Sequence, residues 1–224
     1  YHKDGFFYNA ALETWMDTSS GDDVRSGVRI EMQALMLVIL DVTFKLTNEP
    51  VYSKLRDSLV KNVKSFMFKD YLFDGVGDKT KRPNVFLAYY LYPNLLDSNE
   101  WEKCFDILLD ALWLDWGGVS TIDKSSSLFV ANYSGQTNQS YHRGDSWFWV
   151  NNYVAICLNR VNKKKYSLKI KKILSASLQD IYFMGSVGCC SEVSSACEQT
   201  SSGCENQLWS ASTLVELLSE LKKK

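Results

Sequence analysis

Histidine is nearly missing from this chain, with two in 224 residues. A His-rich metal centre is therefore excluded as the seat of its chemistry. A dominant charge is missing too. Lys and Arg number 25 against 26 Asp and Glu, a net of −1, and the signs are mixed along the chain. A nucleic-acid or anionic-membrane partner needs a basic field, so neither is expected. The runs Lys163 to Lys165 and Lys222 to Lys224 read as solvated helix ends. No window approaches the roughly 18 uninterrupted apolar residues of a membrane span. The first residues, YHKDGFFYNA, carry neither a signal-peptide pattern nor a start Met. The expectation is a cytoplasmic chain cut from a longer polypeptide. No internal repeat is visible.

Cysteine is present but lacks a ligand pattern. Of the six, Cys104 and Cys157 stand apart, while Cys189, Cys190, Cys197 and Cys204 crowd one loop. Zinc ligands are usually spaced two to four residues apart, and adjacent Cys189 and Cys190 are not. A disulfide is the second alternative. Free thiols in a reducing compartment are the expectation. The sequons at Asn132 and Asn138 carry no weight in such a compartment.

What is present is a soluble globular composition, 46% hydrophobic and 23% charged. Aromatic content is high at 13%, with 7 Trp, which permits carbohydrate binding without proving it. The stretch Leu12 to Met32 concentrates chemistry. Thr14-Trp15-Met16-Asp17 precedes a polar loop, and then Arg25, Gly27 and Glu31 lead into an apolar helix. Carboxylates and Arg hydrogen-bond hydroxyls, and an indole covers the apolar face of a sugar ring. An ordinary capping loop with surface charges would look similar.

Helical periodicity recurs along the rest of the chain. Gly27 to Leu46 is apolar on several faces and is predicted to be largely buried. Pro50 is read as its stop. Tyr52 to Phe68 follows, with Leu55, Leu59, Val63 and Phe66 inward. Tyr71 to Asp74 reads as extended, before a turn. Arg82-Pro83-Asn84 introduces a short helix, Val85 to Tyr92. Ser98 is read as the cap of a helix from Glu100 to Leu112, with Trp101, Phe105, Leu108, Leu109 and Leu112 inward. The long polar segment Leu114 to Ser140 has the length of a functional loop. It leads into Tyr141-His142-Arg143-Gly144-Asp145-Ser146-Trp147-Phe148-Trp149. Asp145 and Ser146 read as helix-start residues. Helices are predicted from Ser146 to Val161 and from Tyr166 to Phe183, and Cys204-Glu205-Asn206-Gln207-Leu208-Trp209-Ser210-Ala211 is read as opening a last helix that runs to about Leu221. Glu192 and Glu198 lie in the loop before the last.

These motifs together resemble the amylo-α-1,6-glucosidase family, the glucosidase half of glycogen debranching enzymes. The family's pattern is TWMD, a loop, then R-x-G-x-x-V-E-I; here it is Thr14 to Asp17, Arg25, Gly27 and Glu31. The R-P-N, the Y-H-x-G-x-x-W-x-W and the C-x-x-Q-x-W-S match as well. The resemblance implies an all-α fold, the C-terminal part of an (α/α)6 toroid, with residues 1–224 as one partial domain. It makes Asp17 the general acid and Glu192 the general base of an inverting glycosidase. Arg25 and Glu31 take sugar-binding positions, and Trp15, Tyr141, His142 and Trp147 shape the sugar pocket. The implied substrate is α-1,6-linked glucose on a glycogen-like dextrin. No metal or cofactor is implied, and the expected partner is a preceding part of the same polypeptide. An inverting pair stands about 6.5–9.5 Å apart, leaving room for water. Two alternatives stay open: a glucoamylase-like exo-enzyme on the same fold, and a truncated, inactive carbohydrate-binding or scaffold protein.

Overall fold

The computed structural model describes residues 2–133 and 139–223. Ser134 and Asn138 of the two sequons, and Lys224, lie outside the described residues. The chain divides into two compact units, Tyr1–Thr80 with Asn84–Cys104, and Lys81–Pro83 with Phe105–Lys224.

The first unit opens on a small antiparallel hairpin, β1 (His2–Lys3) and β2 (Phe6–Phe7). After the TWMD loop come α1 (Ile30–Thr47), α2 (Pro50–Met67) and α3 (Asn84–Leu91), then the start of α4 (Ser98–Leu112). Helix α1 packs on both α2 and α3. Ile30, Ala34, Leu37, Leu59, Val63, Met67 and Phe86 form its core. Asn48 ends α1 in the left-handed conformation, with its N–H bonded to the Phe44 carbonyl. Asn tolerates that conformation better than other side-chain-bearing residues. Pro50 therefore starts α2 and does not stop α1; its missing N–H costs nothing at a helix start.

The second unit holds β3 (Ser146–Trp147), α5 (Phe148–Asn162), α6 (Ser167–Gln179), a π-turn (Asp180–Met184), β4 (Val193–Ser194), β5 (Ser201–Ser202) and α7 (Leu208–Lys222). Helix α5 is buried along all of Phe148 to Leu158 and packs on α6 and α7. The three strands form an antiparallel sheet in the order β3-β4-β5. Among the described residues no helix is long and apolar enough to cross a membrane.

Seven α-helices are present among the described residues, close to the number read from the sequence, but five further expectations need correction. Helix α1 is not largely buried: Leu35, Ile39, Val42 and Leu46 are exposed. In α2 the buried position belongs to Met67, while Phe66 is 59% exposed and meets the ring of Phe6. The cap of α4 is Asp97, not Ser98. Asp97 Oδ1 accepts from the Asn99 and Glu100 N–H groups, and Glu100 Oε2 accepts from the Asp97 N–H. That reciprocal pair is a capping box with Asp in the Ser position. Ser146 and Trp147 form a strand, not a helix start, because their backbone pairs with Ser194 and Val193. Cys204 to Gln207 also lie outside the last helix, which begins at Leu208 with Gln207 as its cap.

Candidate active site

The TWMD segment is held by a buried polar network in the first unit. Arg25 is its hub, 2% exposed, at φ 47°. Its Nη1 donates to Thr14 Oγ1 and Glu31 Oε1, both at 2.7 Å. Its Nη2 donates to Glu31 Oε2 at 3.2 Å and to Asp74 at 3.0 Å, and its Nε to Asp74 Oδ2 at 3.2 Å. A guanidinium has five N–H groups, and all five are thus engaged. Burial acts to lower the Arg25 pKa, but the carboxylates of Asp74 and Glu31 outweigh it and hold the pKa above its ordinary value. The role expected of Arg25, donating to sugar hydroxyls, has no donor left to serve it. Glu31 is likewise only 2% exposed.

Asp74 carries the network onward. It accepts from Asn84 Nδ2 at 2.7 Å and from Arg29 at 3.3 Å. Asn84 Oδ1 in turn accepts from the Trp15 indole N–H at 2.7 Å. Thr14 and Met16 are buried and Trp15 half-buried, whereas Asp17 is exposed.

The second unit gathers Tyr141, His142, Trp147 and Glu192. Trp147 stacks on His142, with centroids 5.1 Å apart and planes 10° apart, and lies 4.6 Å from the Tyr141 ring. Its indole N–H donates to the Tyr141 carbonyl at 2.8 Å. Glu192 precedes β4, and its carbonyl accepts from the Phe148 N–H at 3.2 Å. The short sheet thus ties it to the aromatic motif. Three donors address its carboxylate: Tyr141 OH at 2.5 Å, the Cys204 N–H at 2.8 Å and Gln207 Nε2 at 3.4 Å. Glu192 stays half-buried, while His142 and Trp147 are 1% and 4% exposed. Glu198, the other carboxylate of this loop, is exposed, in the turn between β4 and β5.

Two glycines permit this packing. At Gly203, φ is 73°, and an added Cβ would fall onto Glu192 Oε2 and 3.0 Å from its Cβ. At Gly144, an added Cβ would fall onto the Val130 carbonyl. The glycine of the Y-H-x-G motif is therefore a site of close backbone approach.

Sequence reasoning misses four polar residues of these networks. Arg82, 2% exposed, donates to the His142 carbonyl at 2.8 Å and to that of Thr121 at 3.3 Å, fixing the aromatic loop. Asn84 and Gln207 lie inside matching motifs, so a buried polar role is open to inference from them. Asp74 has no such signal beyond closing an apolar extended piece. Asp145 also differs from its reading as a helix-start residue. It is fully buried, Oδ2 accepts from Ser140 Oγ at 2.8 Å, and burial pushes its pKa up to about 7 against that hydrogen bond. Trp149 is a core residue, edge-on to Trp209 at 5.3 Å.

A cavity of about 610 Å³ lies along α6, between Lys171 and Phe183, and one of about 440 Å³ lies beside Ser191, Ser201 and Gly203. Neither is lined by Asp17, Glu31, His142 or Glu192. All six cysteines are free, with Cys104 and Cys157 buried. Burial raises the Cys104 thiol to about 12, which makes it inert. Among the described residues no three of His, Cys, Asp and Glu converge as metal ligands do.

The chain belongs to the amylo-α-1,6-glucosidase family, which it matches over residues 2–216. No curated protein matches it significantly. Among solved structures, the GH63 mannosylglycerate hydrolase of Thermus thermophilus in complex with glucose superposes with a TM-score of 0.59 at 15% identity. That match covers 86% of this chain and 48% of the hydrolase. An uncharacterised conserved protein of the same organism gives 0.59 at 15% identity, over 86% of this chain and 46% of its own. A family 88 glycosyl hydrolase of Bacteroides vulgatus gives 0.52 at 10% identity, over 92% and 64%. These likenesses establish a shared helix-rich fold. The chain spans about half the length of the first two of these structures.

Proposed function

We propose that this chain is the catalytic part of an (α/α)6 toroid that hydrolyses α-1,6-linked glucose from glycogen-like dextrins with inversion. Residues 1–224 act as one partial domain, completed by a preceding part of the same polypeptide. Asp17 protonates the glycosidic oxygen. Glu192 takes a proton from water, whose oxygen bonds the anomeric carbon as the glycosidic bond breaks. No cofactor or metal is needed. The protein is cytoplasmic, in keeping with six free thiols.

The observation that carries this reading is the environment of Glu192. Its carboxylate is oriented by three neutral donors and packed against the aromatic motif, yet is still half-exposed. A base needs that combination of fixed geometry and access to water. Tyr141, with His142 and Trp147 stacked behind it, shapes the sugar pocket, and Trp15 covers the acid side. Arg25 and Glu31 serve the site by holding the TWMD segment.

The test uses leaving groups. A sugar hydroxyl leaves poorly without protonation, whereas fluoride leaves readily. In the complete polypeptide, Asp17→Asn is expected to lose hydrolysis of α-1,6 dextrins by on the order of a hundredfold, and to keep far more activity on α-glucosyl fluoride. Glu192→Gln is expected to lose both. Equal loss on both substrates for Asp17→Asn, or activity retained by Glu192→Gln, defeats the assignment. Product analysis on defined linkages separates this reading from an α-1,4 exo-enzyme.

A further inference from the structure

We infer that Asn84 is a positioning residue for the acid, acting through Trp15 from the buried Arg25–Asp74 pair. The inference rests on the proposed role of Asp17. Asn84 is fully buried, and its amide is used from both ends. The carbonyl oxygen accepts from the Trp15 indole, and the amino group donates to Asp74 Oδ1, both at 2.7 Å. The amino group also lies 3.6 Å from Met16 Sδ. Asp74 is fully buried and anchored by Arg25, whose remaining donors grip Thr14 and Glu31.

Each of the three residues before Asp17 therefore meets one connected network. Thr14 is bonded to Arg25, Trp15 to Asn84, and Met16 to the hydroxyl of Thr14 through its own N–H at 3.3 Å. Asp17 is the exposed member of the four. The backbone that carries it is set from inside, and the indole N–H is held by the Asn84 amide. Leucine at 84 has nearly the same volume but can neither accept from Trp15 nor donate to Asp74. The indole would lose its orientation, and Asp17 would follow.

A general acid misplaced by about 1 Å loses on the order of a hundredfold in rate. That loss falls only on substrates that need an acid. In the complete polypeptide, Asn84→Leu is expected to lose α-1,6 dextrin hydrolysis by about a hundredfold in kcat. On α-glucosyl fluoride it should lose less than about fivefold, since the base is untouched. Added to Asp17→Asn, it should cost no further dextrin activity, because it acts through Asp17. Should Asn84→Leu not fold by near-ultraviolet circular dichroism, Asn84→Gln tests the same point. It keeps both groups but displaces them by one methylene, and the same split between substrates is expected. Equal losses on both substrates in a folded variant, or losses that add to those of Asp17→Asn, overturn the inference while the acid assignment stands. An Asp17→Asn protein that shows no split overturns both.

Discussion

Replacing Arg25 by Met tests how much the buried charge network contributes to stability. The substitution keeps much of the side-chain volume and removes the five N–H donors. Glu31 then loses both of its hydrogen bonds to the guanidinium while remaining 2% exposed. Asp74 is better protected, since Asn84 and Arg29 still donate to it. Stripping one partner from a buried pair costs about 3–5 kcal/mol, because the remaining charge is left in a poor solvent. With Asp74 partly compensated, about 4 kcal/mol is expected here. For a chain of this size each kcal/mol moves Tm by about 2–4 °C, so the drop should be roughly 8–16 °C. Thermal denaturation of the complete polypeptide reads it directly. Salt at 1 M shrinks the screening length to about 3 Å but does not reach a buried pair, so the drop should persist. Asp41→Asn is the control: its bond to Arg56 is 2.6 Å long but a quarter exposed, and its effect should be small and erased by salt. Adding Glu31→Gln to Arg25→Met removes the stranded charge and should recover part of the loss. A drop below about 3 °C, or a double variant less stable than Arg25→Met, would refute the reasoning.

Gly203→Ala should displace the Glu192 carboxylate, since a Cβ there overlaps it and φ is 73°. Activity on α-glucosyl fluoride should fall by about a hundredfold with Tm lowered by only a few degrees, and unchanged activity would separate Gly203 from the base. Asp145→Asn tests the raised pKa of about 7. An acid whose folded pKa lies above its unfolded value binds more proton when folded, so it weakens the fold as pH rises from about 4 to about 7. The Asn variant cannot titrate, so its Tm should gain on the parent across that window and run parallel above it. A gap that is constant from pH 4 to 8 would contradict this.

Helix positions are legible because they rest on local periodicity, which a sequence displays. Trp101, Phe105, Leu108, Leu109 and Leu112 carry the inward face of α4 in the sequence pattern, and all are buried. The errors lie where local signals are degenerate. Asp97 and Ser98 are both good caps, and only the reach of Glu100 back to the Asp97 N–H decides between them. Ser146 and Trp147 look like a helix start because their pairing partners, Ser194 and Val193, lie far downstream. Long-range pairing leaves no periodic trace in either segment. The motif residues Tyr141, His142, Trp147 and Glu192 are found by resemblance and do come together within one unit. Asp74 escapes notice because one Asp at the end of an extended piece looks the same whether it faces water or Arg25.

Residue type alone does not separate Glu31 from Glu192. Each is a Glu close to a helix or strand end, each lies in or beside a matching motif, and each is fixed by several hydrogen bonds. The partners differ, and so does the exposure. Glu31 is gripped by a guanidinium that also holds Asp74, at 2% exposure. Both of its oxygens accept from a buried cation, which keeps its lone pairs on protein. Such a carboxylate suits a scaffold. Glu192 is met by a phenol, a backbone N–H and an amide, none of them charged, and it stays half-exposed. Neutral donors orient a carboxylate without neutralising it, so it can still take a proton from water. The R-P-N tripeptide shows the same division. Arg82 directs N–H groups to backbone carbonyls of the aromatic loop, while Asn84 joins the indole of Trp15 to Asp74. Its two polar side chains are buried and hold other residues in place, leaving the proposed acid and base to the more accessible Asp17 and Glu192.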